Sequence, residues 1–310
     1  ADMYGPYMEK VAEATADAGL RAVLSRGIIG VAPDGDAKIE ENVALYKDFH
    51  GAADGRITVM FGPHAPYTCP PDFLKKVAKT AQSLGAEVHI HMAETKAEIE
   101  QITKAYGKRP FRYVEETGLF DGKGTLAAHC VHLDEEDIDI IKKHGIRVAH
   151  NPGSNMKLAS GVAPVPRLLK EGVCVALGTD GASSNNNLDM LEEINLAAML
   201  HKVSTLDPLA VPARTALKMG TEYGAKAVGL TGVGRLEAGC KADITLFDMD
   251  GAAWYPRNDL ASLLVYSAHA DSASTVLVDG KVLMEDKELL TLDKERIFYE
   301  AQKCAERLTK

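Results

Sequence analysis

The sequence predicts an α/β protein: a (β/α)8 TIM barrel over residues 1–230, followed by a small β portion and a helix over 231–310. Helical and strand patterns alternate up to about residue 230, which is typical of βα units around a parallel sheet. The strand segments are short and apolar, as in strands covered on both faces. Polar residues follow these strands directly, and the carboxyl ends of barrel strands form the active-site face. A doubly wound sheet would also carry its site there, but the chain has no GxGxxG turn for a dinucleotide, so the barrel is favoured.

Six segments have the composition of buried strands, rich in Val, Ile, Ala or Leu. They are Arg21 to Arg26, Ile57 to Phe61, Glu87 to His91, Thr125 to His129, Arg147 to His150 and Cys174 to Leu177. The predicted helices between them are Pro71 to Leu84, Thr95 to Tyr106, Glu135 to His144 and Leu188 to Lys202. Residues 1–5 read as the end of a strand. After residue 230 the predicted elements are strands with turns at Gly234 to Asp248 and Ser274 to Glu285, and a closing helix at Asp293 to Leu308.

Composition and charge exclude several classes of function. Lys plus Arg number 35 and Asp plus Glu 44, and the resulting net charge of -9 gives no footprint for nucleic acid or an anionic membrane. No apolar run approaches the roughly 18 residues of a membrane span. The five cysteines are scattered, without a CxxC pair, which favours free thiols in a reducing compartment. We therefore expect a soluble, cytoplasmic protein.

The segment from His89 to Glu94 places two histidines and a carboxylate at one strand end. Side chains alternate along a strand, so His89 and His91 share a side. They form either a two-histidine metal clamp, or a pair in which His91 reaches the mouth and His89 fills the interior. A lone histidine on an apolar strand is otherwise an ordinary core residue. Glu94 follows just past the strand end, where a general acid or base would be useful.

Two further strand ends carry the same kinds of group. His129 and His132 stand at the end of an apolar strand; either both are metal ligands, or one is a proton carrier and the other a loop residue. Asp180 ends another strand within a Gly, Ser and Asn loop. It either caps the next helix or ligates a divalent metal and takes a proton from water. No GxSxG elbow is present, so serine nucleophile chemistry is disfavoured and zinc bound by His and Asp fits better.

Five motifs, in order along the chain, resemble the amidohydrolase superfamily. They are FGPHAPY at 61–67, HMAET at 91–95, AHCVH at 128–132, HNPGSN at 150–155 and GTDG at 178–181. The pattern is most similar to the branch of 5'-methylthioadenosine/S-adenosylhomocysteine deaminases and s-triazine chlorohydrolases (ATZ/TRZ). The resemblance spans essentially the whole chain.

The resemblance implies a barrel with a small β-sandwich and one divalent metal, zinc or sometimes iron. It implies His91 and Asp180 as metal ligands, which removes His89 from the ligand set. Glu94, His129 and Asp180 match catalytic positions. Positions that bind substrate match Arg26, Lys38, His64, Glu94 and Ser184. Lys38 stands where an arginine is expected, which counts against bidentate recognition of a carboxylate.

The family also has an HxH pair on its first strand, and this sequence has no HxH before His64. We therefore expect a barrel that lacks its first strand and most of its second, in a piece of a protein about 100 residues longer. With two of four ligands absent, zinc affinity would collapse in this chain, because a catalytic zinc normally has three protein ligands. Open strand edges favour a homo-oligomer.

The implied reaction is hydrolytic deamination of 5'-methylthioadenosine or S-adenosylhomocysteine to the inosyl product and ammonia. Glu94 would protonate the ring nitrogen, Asp180 would take the proton of the attacking water, and His129 would orient that water. The alternatives are a guanine or pterin deaminase, an s-triazine chlorohydrolase, or an inactive fragment that serves as a binding module.

Overall fold

The structure is a computed structural model that describes residues 7–309. The strand end predicted at 1–5 lies outside these residues. Within 7–309, no helix is long and apolar enough to cross a membrane. All five cysteines are free thiols, as predicted.

Twelve strands are present among the described residues. They are β1 Ala22–Leu24, β2 Gly27–Ile28, β3 Ile57–Val59, β4 Gly62–Pro63, β5 Val88–Met92, β6 Thr125–His129, β7 Arg147–His150, β8 Val175–Leu177, β9 Ile244–Phe247, β10 Ala273–Val278, β11 Lys281–Glu285 and β12 Glu288–Leu289. The α-helices are α1 Met8–Ala18, α2 Gly35–Phe49, α3 Ala52–Gly55, α4 Pro71–Leu84, α5 Lys96–Tyr106, α6 Pro110–Glu115, α7 Glu135–Lys143, α8 Pro152–Lys157, α9 Val165–Lys170, α10 Ala182–Asn185, α11 Met190–Thr205, α12 Ala213–Gly220, α13 Glu222–Ala227, α14 Leu260–Tyr266 and α15 Lys294–Leu308.

Each of the strands β1 to β8 is parallel to the strands it pairs with. β1 pairs with β3 and β2 with β4, while β5 to β8 form one four-stranded sheet. A bridge between Phe61 and Val88 continues the order from β4 into β5. The pairing of the described strands does not close into a barrel. Helices lie between the strands, and the largest apolar core, which includes Ile90, Val148 and Val175, is buried beneath them.

Local sequence signals explain the helix ends. Helix α4 has proline at its first position and ends at Gly85, whose left-handed φ of 62° suits a residue without Cβ. Helix α7 begins with a capping box in which Asp134 and Asp137 each accept the other's backbone N–H. These two helices match their predicted ranges to within one residue.

The strand predicted from Arg21 to Arg26 is wrong at its carboxyl end, because β1 ends at Leu24 and a separate strand, β2, begins only at Gly27. Asn42, fully buried on α2, accepts the backbone N–H of Arg26 at 3.0 Å and donates to the carbonyl oxygen of Met60 at 3.1 Å. The amide side chain thus occupies the hydrogen bonds that would otherwise continue the ladder. The sequence shows an asparagine in this helix, but it does not show that its side chain is buried or which backbone groups it bonds.

The segment after residue 230 also differs from the prediction. Only Ile244–Phe247 of the predicted range from Gly234 to Asp248 is a strand, since Gly234 and Gly239, both with left-handed φ, punctuate the segment before it. Strands β9 to β12 form an antiparallel sheet in the order β12-β11-β10-β9. Helix α14 interrupts them, and its Val265 belongs to the large core of the α/β part.

Candidate active site

His91 lies near the carboxyl end of β5, in a row of small side chains that crosses the sheet. The register pairs His91 with Ala128, Ala128 with Ala149, and Ala149 with Ala176. Three methyl groups beside an imidazole leave open space, and a cavity of about 120 Å³ lies there, lined by this row and by Asp180. Repeated alanine in one layer of the sheet provides the room in which the polar groups meet.

Three side chains of the kinds that bind metals lie close together here, and two of them, His91 and Asp180, line the cavity. His91, His129 and Asp180 each offer one ligand atom, and these atoms lie within 4.8 Å of one another. The two imidazole rings are stacked with centroids 5.3 Å apart. Two imidazoles and a carboxylate form a donor set that zinc and related divalent cations accept. These residue types fit a divalent cation, with His91 and Asp180 as candidate ligands and His129 beside them.

A backbone contact fixes the tautomer of His91. Its Nδ1 lies 2.9 Å from the carbonyl oxygen of His64. A carbonyl oxygen only accepts, so Nδ1 carries the proton and Nε2 keeps the lone pair that a metal needs. Burial, and after it the neighbouring His129, lowers the pKa of His91, which keeps the ring neutral at pH 7.

Asp180 is held as a carboxylate. Ser154 donates its hydroxyl to Oδ2 at 2.8 Å, and Gly181 donates its backbone N–H to Oδ1 at 2.8 Å. Burial by itself raises the pKa of Asp180, but these hydrogen bonds and the imidazoles of His129 and His91 outweigh it and lower the pKa below its ordinary value. The group is suited both to ligate a cation and to accept a proton.

His129 is oriented by two asparagines. The amide nitrogens of Asn155 and Asn151 lie 2.9 Å and 3.4 Å from its Nδ1. Amide nitrogens only donate, so Nδ1 accepts and the proton lies on Nε2, which is 3.8 Å from Oε2 of Glu94. Burial lowers the pKa of His129 to about 4, with Asp180 opposing the shift. Although His129 is near enough to be a third ligand, this tautomer makes it a neutral hydrogen-bond donor to the cavity.

Glu94 follows β5 and is the second carboxyl group of the site. Its Oε1 accepts the hydroxyl of Ser160 at 3.2 Å. Burial raises the pKa of Glu94, with His91 and Ser160 opposing the shift and Asp180 adding to it. The pKa values of Glu94 and Asp180 therefore move in opposite directions within one pocket, the pattern expected of an acid and a base.

His64 joins this group from the segment after β4. Its ring lies 5.2 Å from that of His91, and its Nδ1 lies 2.9 Å from the hydroxyl of Thr68. Burial and the nearby His91 lower the pKa of His64 to about 4. Tyr67 packs edge-on against it at 5.7 Å.

The other predicted substrate residues contact neighbours outside this group. Arg26 donates to Glu41 at 2.6 Å, and Lys38 pairs with Asp34 at 2.9 Å. Both cationic side chains are largely buried, and Arg26 lines a separate cavity of about 530 Å³ beside α1 and α2. Ser184 lies on α10, which begins just after the GTDG motif.

His89 lies below the site. It is 4% exposed, its ring is 5.8 Å from that of His91, and it lines the same cavity without joining the three convergent ligand atoms. Burial lowers its pKa well below the ordinary histidine value.

Several residues that hold the site were assigned no role from the sequence, although three of them belong to the HNPGSN motif. They are Glu98, Asn151, Ser154, Asn155, Ser160 and Glu193. Glu193 lies on α11, where it accepts the backbone N–H of Gly153 at 3.0 Å and the side-chain amide of Asn185 at 2.7 Å. The dense polar motif HNPGSN was a signal for three of them, whereas Glu193 had no signal that distinguished it from a surface helix carboxylate.

The backbone is strained where these residues leave the strands. Ala93, His129, Cys130 and Asp180 all have left-handed φ, between 51° and 72°. Residues with a Cβ adopt this region rarely and at a cost of order 1 kcal/mol or more. Such strain accumulates at functional sites, and here it occurs at the ends of β5, β6 and near that of β8.

A model of the amidohydrolase family matches residues 1–283. A 5-methylthioadenosine/S-adenosylhomocysteine deaminase from Pelotomaculum thermopropionicum is 54% identical over 308 residues, which cover 99% of this chain and 71% of the relative. The protein of the same name from Dictyoglomus thermophilum is 51% identical over 309 residues, covering 100% and 72%.

Two solved structures have the same fold. An adenosine deaminase from Xanthomonas campestris with bound zinc superposes with a TM-score of 0.94 at 31% identity, over 99% of this chain and 71% of that one. Atrazine chlorohydrolase from Arthrobacter aurescens TC1 with zinc gives 0.87 at 27% identity, over 96% and 68%. These likenesses imply the predicted (β/α)8 barrel architecture. By its motifs, its site and its likeness to these relatives, the chain belongs to the amidohydrolase family.

Proposed function

We infer that this protein is a hydrolytic deaminase of adenosine-type nucleosides, converting 5'-methylthioadenosine or S-adenosylhomocysteine to the inosyl product and ammonia. The observation that carries the inference is the proximity of two candidate metal ligands, His91 and Asp180, to a partly buried carboxyl group, Glu94, whose Oε2 lies 3.8 Å from His129. The names of relatives at about half identity over nearly the whole chain support it.

We propose His91 and Asp180 as ligands of one divalent cation, with zinc as its identity. The zinc in two similar structures supports that choice. A bound divalent cation lowers the pKa of water towards neutrality and so supplies a nucleophile at pH 7. The remaining chemistry falls to the side chains of this chain.

Three side chains manage the protons. Asp180, whose pKa is lowered, takes the proton that the attacking water gives up. Glu94, whose pKa is raised, donates a proton to the ring nitrogen, so that the adjacent carbon accepts the attack. His129 donates from Nε2 to orient the water. The C–N bond then breaks as the C–O double bond forms: Asp180 returns its proton to the departing amine, and the proton of the added hydroxyl group passes to Glu94, which restores its acid form.

The substrate contacts are proposals of the same kind. His64 borders the reacting groups, and Ser184, Arg26 and Lys38 would contact the ribose and the distal substituent. Arg26 and Lys38 would have to exchange their acidic partners for substrate or hold them while binding it. A lysine at position 38 supplies a point charge rather than a bidentate fork.

We propose that the small antiparallel sheet is part of a β-sandwich and that the chain divides near residue 230. The change from parallel to antiparallel pairing supports this boundary, while packing of α14 on the large core ties the two parts together. A homo-oligomer and a cytoplasmic location remain predictions from the sequence.

Ammonia release from a panel of substrates tests the function. The panel contains 5'-methylthioadenosine, S-adenosylhomocysteine, adenosine, guanine, a pterin and atrazine, each assayed with the protein in an excess of zinc. We expect the thioether nucleosides to react with the highest kcat/KM. Preference for guanine, a pterin or chloride release from atrazine would replace the proposal by one of the alternative activities, and no reaction with any of them would contradict it.

A further inference from the structure

The turn that carries Glu94 is held by a second, deeper carboxylate. Glu98, in the first turn of α5, is 3% exposed. Its Oε1 accepts the backbone N–H of Ala93 at 2.8 Å, and its Oε2 accepts the backbone N–H of Glu94 at 2.8 Å. Both oxygens are thus bound to consecutive peptide groups at the site.

This arrangement is more than a helix cap. Thr95 caps α5 by accepting the N–H of Glu98 at 3.1 Å, so the pair begins as a capping box. In the ordinary box of α7, Asp137 returns to the N–H of the cap residue Asp134 and is also paired with Arg109. Glu98 instead makes its two main hydrogen bonds to the N–H groups of the residues before its cap residue, and the Thr95 N–H contributes less.

The carbonyl side of the same turn is fixed by the segment that follows β6. The carbonyl oxygen of Ala93 accepts the N–H groups of Val131 at 3.0 Å and His132 at 2.9 Å. Ala93 itself is in the left-handed region, with φ 51°. A strained residue persists only where its surroundings determine it from several sides. Glu98 supplies the N–H side of that constraint.

Burying this carboxylate is unfavourable, because its hydrogen bonds within residues 7–309 come from neutral N–H groups rather than from a cation. Burial raises the pKa of Glu98 to about 7, and the nearby carboxylate of Glu94 adds to the shift, although the backbone N–H bonds oppose it. An exposed acid at the same helix position would satisfy a helix cap at less cost. The placement is therefore explained by what it does to residues 93 and 94.

We propose that Glu98 is a positioning residue that sets the direction of the Glu94 carboxyl group by clamping the Ala93 and Glu94 peptide groups. The inference rests on the proposed role of Glu94. Misplacement of a reacting group by about 1 Å can cost on the order of 100-fold in rate.

The test is Glu98→Gln in the whole chain, with Glu100→Gln as its matched control. The first substitution keeps the shape of the side chain but presents an NH₂ group to one of the two N–H donors, whereas Glu100 is exposed on the same helix. We expect kcat to fall about 10- to 100-fold in E98Q with KM changed less than about threefold, and backbone amide exchange at residues 93–94 to accelerate. E100Q should match the wild type in all three measurements. If E98Q does not fold, E98D replaces it, because aspartate keeps the charge but has a shorter side chain. We expect E98D also to lower kcat and to accelerate amide exchange at residues 93–94.

Wild-type kcat together with wild-type exchange at 93–94 in a folded variant would overturn the proposal. Equal losses in E98Q and E100Q would also overturn it, since they would indicate a general effect of the helix. If the wild type deaminates nothing, the proposed function fails, and exchange at 93–94 alone then decides whether Glu98 clamps the turn.

Discussion

Ionisable side chains lie at both ends of the strands β5 to β8, but they are arranged differently at the two ends. At the amino ends, Glu87 and Arg147 form an ion pair at 3.1 Å, with side chains only 15% and 13% exposed. At the carboxyl ends, Glu94, His129 and Asp180 lie together with pKa values displaced from their ordinary ranges. Charge at one end is neutralised, and at the other it is kept available for chemistry.

Backbone conformation follows the same division. Before β5, β7 and β8, left-handed turns are made by Gly85, Gly145 and Gly172, which adopt them without strain. After the strands, left-handed residues carry side chains, as at His129 and Asp180. One edge of the sheet therefore takes its left-handed turns at glycine, and the other takes them at residues whose side chains belong to the proposed site.

The largest expected effect is a loss of kcat from a substitution at the carboxyl ends of the strands. Glu94→Gln removes the acid but keeps the volume, so kcat should fall at least about 1,000-fold, at the upper part of the range for general acid catalysis. The midpoint of thermal unfolding and the zinc content should stay unchanged. Steady-state ammonia release measures the effect, with Glu87→Gln as the control at the other end. A kcat within about threefold of wild type would remove Glu94 from the mechanism.

The next largest effect is a loss of stability from a substitution at the amino ends of the strands. Arg147→Met leaves Glu87 nearly buried without its partner, and the free energy of unfolding should fall by about 2 kcal/mol. The double variant E87M/R147M should recover part of this loss, because it replaces the pair by apolar groups. Urea unfolding measures both variants, and kcat per folded molecule should be unaffected. A loss of kcat without a loss of stability would show that the two ends are not separate in role.

A smaller effect concerns the outer helices, away from both ends. Glu115 on α6 accepts hydrogen bonds from Lys143 at 2.8 Å and Arg112 at 2.7 Å and lies 2.9 Å from His144, and chiefly Lys143 lowers its pKa to about 2. The folded pKa lies below the unfolded value, so this stabilisation is complete above about pH 4.5 and is lost as the pH falls towards 2.

We therefore expect Glu115→Gln to lower the free energy of unfolding by about 1 to 2 kcal/mol at pH 7. The loss is small because Lys143 is largely exposed and solvent screens its charge. The difference from wild type should narrow between about pH 5 and pH 3. Urea titrations across this range provide the test, and a difference independent of pH would contradict the assigned cause.

Much of the parallel part could be predicted because its signals are local. The strands at 125–129 and 147–150 and the helix at 71–84 match the structure residue for residue, since alternation, proline and glycine act within a few residues. His91 and Asp180 could be proposed as neighbours because parallel strand ends meet at one edge.

The remainder depends on contacts between distant segments. Asn42 breaks a predicted strand by bonding to residues 16 and 18 positions away. Glu193 supports the loops of the site from 40 residues away, and nothing in its helix marks it. Helix α14 lies in a region whose turns and strands suggested only a sheet, and its role in the large core is set by tertiary packing.

Zinc binding by the whole chain and three variants tests the central claim most directly. Competition with a chromophoric chelator gives the affinity of the wild type, His91→Ala, Asp180→Asn and His89→Gln. We predict binding weaker by about tenfold or more in H91A and D180N, because each loses a convergent ligand atom, and wild-type affinity in H89Q, whose histidine lines the same cavity outside that group. Equal affinities in all four proteins would contradict a metal centre at His91 and Asp180.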